Sequence, residues 1–335
     1  MTWWKPSYKG ILMKIGFTTS LPVEVILAAG HTPIDLNNIF VTGDARKYVE
    51  AAEFDGYPRN ICSWIKGLYS VALQNHIDTV VGVVEGDCSN TQSLMATLQD
   101  KGVRVLPFSF PHSRDRQRLV EEITRFEALF DVDHAAVMAM KRRLDGIRAK
   151  LVMLDELTWR EHKVTGLENH LWLVNSSDFQ GDPDTFESRL DTFLMEARQR
   201  EPIQAQFHFA YLGVPPILTD LYDFLMESGV HVVFNEIQRQ FAMPYLEEDI
   251  VEQYLRYTYP YSIFHRLDDI KSELDKRGVD GVINYAQSFC HRQIDGILIK
   301  KAIDLPILMV EGDAPGPLDA RTKLRIESFL DMLRY

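Results

Sequence analysis

The chain has 335 residues, 46 % hydrophobic and 25 % charged, with 36 basic against 48 acidic side chains and a net charge of −12. This is ordinary globular composition with room for about two domains and a sizeable core, and its acidic balance argues against a nucleic-acid backbone or an anionic membrane as the main partner. No apolar run approaches the roughly 20 residues that span a bilayer, and the opening MTWWKP lacks the basic start and apolar stretch of a secretion signal, so the expectation is a cytoplasmic protein.

Residues 13–17 read as a first strand and residues 22–29 as a short helix stopped by Gly30, after which residues 32–36 resume as a strand. The helix, glycine, strand unit recurs at 94–107 around Gly102, at 218–234 around Gly229 and at 270–284 around Gly278. Alternation at this spacing implies an α/β fold with parallel sheets and right-handed crossovers. It is interrupted between residues 113 and about 160, where apolar residues from Leu119 to Leu154 recur at helical spacing with no strand signal. A turn-rich loop at 175–184 and a helix at 185–199 follow, and residues 205–211 restart the strand pattern. The expected organisation is a first α/β lobe at 1–112, a helical insert or bridge at 113–202 and a second α/β lobe at 203–335.

The stretch from residue 79 to 92, TVVGVVEGDCSNTQ, runs a β-branched strand into two acids, a glycine and a cysteine. In an open parallel sheet the loops beyond the carboxyl ends of the strands hold ligands, because the next helix begins there with unpaired amides. Cys88 is so placed, Cys290 follows the strand-like run GVINY, and Cys62 sits at an expected helix start. Three cysteines in so long a chain make no disulfide framework. They are either small buried hydrophobes or ligands, and as ligands three thiolates suit one 4Fe-4S cluster with an open iron. Arg59 and Lys66 flank Cys62 and would favour its thiolate, or else lie on a solvated helix face. His291 and Arg292 follow Cys290 as further donors. The strand-end acids Glu85, Asp87, Glu311 and Asp313 are either general bases or a fourth iron ligand, or else they cap the following helix or bond to loop amides. Among ten histidines, His31, His112 and His208 lie near expected strand edges and His162 and His170 in the insert, and no two have a zinc spacing. The tyrosine-rich segment 254–261 is either a pocket lining or a packed connection. Signatures for nucleotide hydrolysis, dinucleotide binding and serine hydrolysis are absent.

The segments PVEVILAAGHTP (22–33) and CSWIK (62–66), the strand ending at Cys88, VDGVI (279–283) running to Phe289 and Cys290, and RIESFLDML (325–333) together resemble the 2-hydroxyacyl-CoA dehydratase and benzoyl-CoA reductase family. The likeness spans nearly the whole chain in the right order. It implies two flavodoxin-like lobes and a 4Fe-4S cluster between them held by Cys62, Cys88 and Cys290, with one iron open. It also implies a second dehydratase-like subunit or a homodimer, and electrons from a separate ATP-dependent iron–sulfur activator protein. The implied chemistry is radical reductive dehydration or reduction of an acyl-CoA thioester: an electron added to the carbonyl expels the 2-hydroxyl and acidifies the β-proton, then is recovered. Lys66, Glu85, Asp87, Glu311 and Asp313 are the further candidates at such a site. Two other roles fit the same fold, a non-catalytic iron–sulfur electron-transfer or assembly partner, and a cluster-free binding protein.

Overall fold

Four helices end on the glycines marked above. In the computed structural model, which describes residues 12–334, Gly30, Gly102, Gly229 and Gly278 have φ of 77°, 88°, 83° and 61°, the left-handed conformation that stops a helix and turns the chain into the next strand. The opening segment read for a secretion signal lies outside the described residues. Among those described, no helix is long and apolar enough to cross a membrane.

The first half runs β1 (Lys14–Phe17), α1 (Val23–Ala28), β2 (Thr32–Asp35), α2 (Leu36–Thr42), α3 (Ala45–Phe54), α4 (Ser63–Gln74), β3 (Thr79–Glu85), α5 (Thr91–Asp100) and β4 (Arg104–Ser109). Four helices follow, α6 (Arg116–Leu129), α7 (His134–Trp159), α8 (Gly166–Asn175) and α9 (Pro183–Arg198). The second half runs β5 (Phe207–Leu212), α10 (Leu221–Glu227), β6 (Val230–Asn235), α11 (Glu236–Phe241), α12 (Ile250–Arg256) and α13 (Ile263–Arg277). It closes with β7 (Gly281–Gln287), α14 (Arg292–Ala302), β8 (Ile307–Gly312) and α15 (Ala320–Leu333).

The strands form two parallel four-stranded sheets, ordered β2-β1-β3-β4 and β6-β5-β7-β8. Each repeats the flavodoxin-like order, in which the chain leaves the first strand to one side and returns on the other, opening a crevice at the carboxyl ends of β1 and β3 and of β5 and β7. Both faces of both sheets are covered, as parallel sheets require. Ile15, Phe17, Val81 and Val83 face one core and Val80 the other, while Phe209, Tyr211 and Ile283 oppose Ala210, Leu212 and Val282 in the second sheet. The helices between the sheets have no core of their own. Leu144, Ile147, Leu151 and Leu154 of α7 join the cluster of Ile15 and Phe17.

Charged groups tie the pieces together inside. Glu24 of α1 meets Arg148 of α7 at 2.8 Å, with both side chains almost wholly buried, and Arg277 of α13 meets Asp155 of α7 at 2.5 Å. In α8, Asn169 donates to Asp155 and accepts from Asn235 at the end of β6. Some boundaries differ from the sequence reading for local reasons. Helix α9 begins at Pro183 because Asp182 caps it and proline suits the first helical turn. Helix α13 begins at Ile263, where the Ser262 side chain accepts from the Phe264 amide.

Candidate active site between the two sheets

The crevices of the two sheets face a common cavity of about 750 Å³, part of it open to solvent. From the first sheet come Thr18, Thr19 and Ser20 after β1, Asp35 at the end of β2, and Asp87 and Cys88 after β3. From the second come Val214 and Pro215 after β5, then Gln287 at the end of β7 and Cys290 just beyond it. Cys62 joins them from the amino end of α4, so all three cysteines, each a free thiol, line one space.

Local structure explains each placement. Gly86 has φ of 98°, and a Cβ there would lie 2.9 Å from Phe110 Cβ and from Pro260 Cβ and carbonyl oxygen, so only glycine makes the turn that aims Asp87 and Cys88 inward. The Asn90 amide donates to Cys88 Sγ at 3.4 Å. The loop after β1 is pinned by the Val83 amide donating to Thr18 Oγ1. Across the cavity, Tyr259 donates to Asp87 Oδ1 at 3.3 Å, and the Arg292 guanidinium lies 4.2 Å from the Tyr259 ring centroid.

The electrostatics of the site are dominated by burial. Loss of solvent pushes the Cys62 thiol up to about 11 and the Cys88 thiol up to about 12, with the Asp87 charge adding to the latter. Cys290 is also raised by burial, against the opposing pull of the Arg292 amide and charge. Asp87 is pushed up to about 6, again by burial, with Arg292 working the other way. Asp35 and Asp178 form a second acidic centre. The Asp35 amide donates to Asp178 Oδ2 at 2.8 Å and Ser177 Oγ donates to Asp35 Oδ2 at 2.6 Å. Burial raises both carboxyls, and the Asp35 charge helps push Asp178 up to about 7.

Of the candidates named from sequence, Cys62, Cys88, Cys290 and Asp87 meet at the cavity. Lys66 is buried rather than solvated, and its ammonium is held by Glu53 at 2.7 Å and the Arg59 carbonyl, whereas Arg59 points into solvent. Glu85 accepts from the His112 amide and pairs with Arg118. Glu311 and Asp313 are exposed at the end of β8, and the Asp313 carbonyl accepts from Ser63 and Gln287. None of these acids caps a helix. The tyrosine segment serves both readings: Tyr254, Tyr257 and Tyr261 pack in the first core, and Tyr259 reaches the cavity. Sequence reasoning missed Asp35, although an acid closing a strand is the same signal that marked Asp87. Asp178 carries no such signal, since it comes from the turn before α9 and meets Asp35 only in the fold.

Facing flavodoxin-type crevices with thiols from both sides define a two-lobed α/β protein built around an interlobe site. The profile of the 2-hydroxyglutaryl-CoA dehydratase D-component family, HGD-D, matches residues 18–333, and the chain belongs to that family. It is a 2-hydroxyacyl-CoA dehydratase-type subunit. No curated protein matches it.

Proposed function

We propose that this chain carries a 4Fe-4S cluster on Cys62, Cys88 and Cys290 and dehydrates a 2-hydroxyacyl-CoA in the cytoplasm. Electrons would come from an ATP-dependent iron–sulfur activator protein, and a second dehydratase-like subunit or a second copy would complete the enzyme. The carrying observation is that three cysteines from distant parts of the chain line one cavity at two facing crevices. The donor set fits the group: three soft sulfurs, raised by burial, become thiolates only beside a strongly positive centre, which iron supplies. Bound there, the cluster would offer low-potential electrons and an open iron for a substrate oxygen.

The remaining residues are suited to the substrate. Asn38 Oδ1 and Trp64 Nε1 belong to cavity-lining residues and are buried without a partner in the protein, which fits hydrogen bonding to a ligand. Val41, Ile65, Leu68, Val174 and Phe241 give an apolar wall that excludes water from an acyl chain. Dehydration removes the hydroxyl from C2 and a proton from C3, and the priming electron returns when the enoyl thioester forms, so no reductant is consumed. Asp87, at about 6, is suited to take up the C3 proton near neutral pH, and the Asp35–Asp178 pair holds a proton for the departing hydroxyl. Exposed Phe289 beside Cys290, with exposed Ile294 and Ile297 one turn apart on α14, fits a protein partner at that edge.

Anaerobic purification with iron and sulfide analysis tests the proposal. About four irons per chain are expected, with Cys88→Ser losing them while keeping the fold; an iron-free chain after reconstitution overturns it. Mixing the loaded protein with activator, ATP and a panel of 2-hydroxyacyl-CoA thioesters tests the chemistry. A loaded chain that binds and converts none of them is instead an electron-transfer or assembly partner.

A further inference from the structure

At the other end of the second sheet, far from the cysteines, three histidines come together. His208 and His231 are the second residues of β5 and β6 and sit directly opposite one another in the parallel register. His162 arrives from the connection between α7 and α8, in the left-handed conformation at φ 54°. Its ring stacks on that of His208 with centroids 4.6 Å apart and planes within 9°, and meets the His231 ring edge-on at 5.5 Å. One ring nitrogen from each lies within 4.8 Å of one from each of the others.

We propose that His162, His208 and His231 bind a divalent cation of the zinc class, independently of the cysteine site. Three features beyond proximity support this. First, His231 is fully buried and its Nε2 lies 3.0 Å from the Val164 carbonyl. That contact fixes the proton on Nε2 and leaves Nδ1 as a bare lone pair, the outer arrangement by which a protein presets a metal-binding imidazole. Second, His231 Nδ1 and His162 Nδ1 are both buried with no hydrogen-bond partner, a cost that a coordinated ion would remove. Third, the backbones are held from outside the cluster. Asp280 accepts from the His208 amide at 2.7 Å and donates its own amide to the His208 carbonyl, while the Ile203 amide donates to the His162 carbonyl.

Imidazole suits zinc, copper and nickel, and three histidines with a fourth position left for water is a known zinc arrangement. Metal–nitrogen bonds of about 2.0–2.1 Å bring tetrahedral ligand atoms to about 3.4 Å of one another. The rings therefore have to close by roughly an ångström, chiefly by turning the stacked His162 about its soft terminal torsion. The ion would cross-link the α7–α8 connection to the second sheet.

The test uses the full chain carrying Cys62→Ser, Cys88→Ser and Cys290→Ser, so that no thiolate competes, stripped of metal by chelator and titrated with Zn²⁺ calorimetrically. One equivalent should bind, and Co²⁺ in its place should give the visible bands of a nitrogen–oxygen site. His208→Ala and His162→Ala, the latter in a connection and so tolerant of change, should each weaken Zn²⁺ by more than the roughly 10–100-fold that loss of an outer-shell partner costs. Zinc should raise the melting temperature of the chain with its histidines intact and not of either variant. Absence of zinc binding, or an affinity unchanged in both histidine variants, overturns the proposal.

Discussion

The two lobes repeat one strand order, yet they treat a buried acid at the same place in opposite ways. Just past the end of the second strand of the second sheet, Glu236 at the start of α11 is engaged by Arg266 at 2.9 Å and accepts from the Gly213 amide, so its charge is neutralised within the core. At the corresponding point of the first sheet, Asp35 lies against Asp178, and neither carboxylate has an ion-pair partner among the described residues. Burial therefore raises their affinity for protons. The loops after the first strands diverge likewise, with Thr18, Thr19 and Ser20 in one lobe facing Val214 and Pro215 in the other. A shared scaffold aims loops at one space. Whether a carboxyl there keeps its charge or holds a proton depends on how close a cation lies.

Neutralising the paired acid should have the largest effect. Glu236→Gln leaves the Arg266 guanidinium buried with only Asp295 at 3.6 Å, and the expected loss is about 3 kcal/mol of stability by denaturant unfolding, at the low end for a broken buried pair. No loss would show that the second lobe does not depend on that pair. Gly86→Ala comes next. The positive φ and the clash with Phe110 and Pro260 should cost about 1–3 kcal/mol and displace Asp87 and Cys88, lowering iron content in proportion to the loss of turn geometry.

The comparison is sharpened most by the smallest change, Asp178→Asn. Because the folded chain holds this proton up to about pH 7, well above the ordinary aspartate value near 4, the folded state binds more protons than the unfolded between those limits. Stability then falls as pH rises from 4 to 7, with the full penalty present above 7 and absent below 4. The asparagine variant should flatten that slope and match or exceed the parent at pH 8 while gaining nothing at pH 4. A parent whose stability rises between pH 4 and 7 with no change in slope in the variant would show that the pair is not the proton holder inferred from its surroundings.

Much of the architecture could be read from the text because its punctuation is physical. A glycine free to take positive φ ended four helices where the next strand began, at Gly30, Gly102, Gly229 and Gly278. Helices α2 and α3 escaped notice since Gly43 and the polar run around Asp44 divide them into short pieces. The cysteines were visible because two follow strands and one opens a helix, and the family likeness singled out the same three. Asp178 and the three histidines were not visible, because their meetings depend on tertiary approach and strand register. His208 and His231 are neighbours only because β5 and β6 pair in that register, and nothing in a spacing of that kind distinguishes two partners from two strangers. Lys66 carried two readings, a charge favouring the Cys62 thiolate or part of a solvated face; the fold buries it against Glu53, where its charge still opposes the rise of the Cys62 thiol.

The order in which the sulfur-bearing loops are synthesised has its own consequence. Cys62 and Cys88 leave the ribosome early, whereas Cys290 follows about two hundred residues later, after the whole of the intervening helical region. The three thiols therefore cannot meet before β7 of the second sheet has been made, and a group held by all three, as proposed above, would be received only after the first sheet and the helices that follow it have been synthesised.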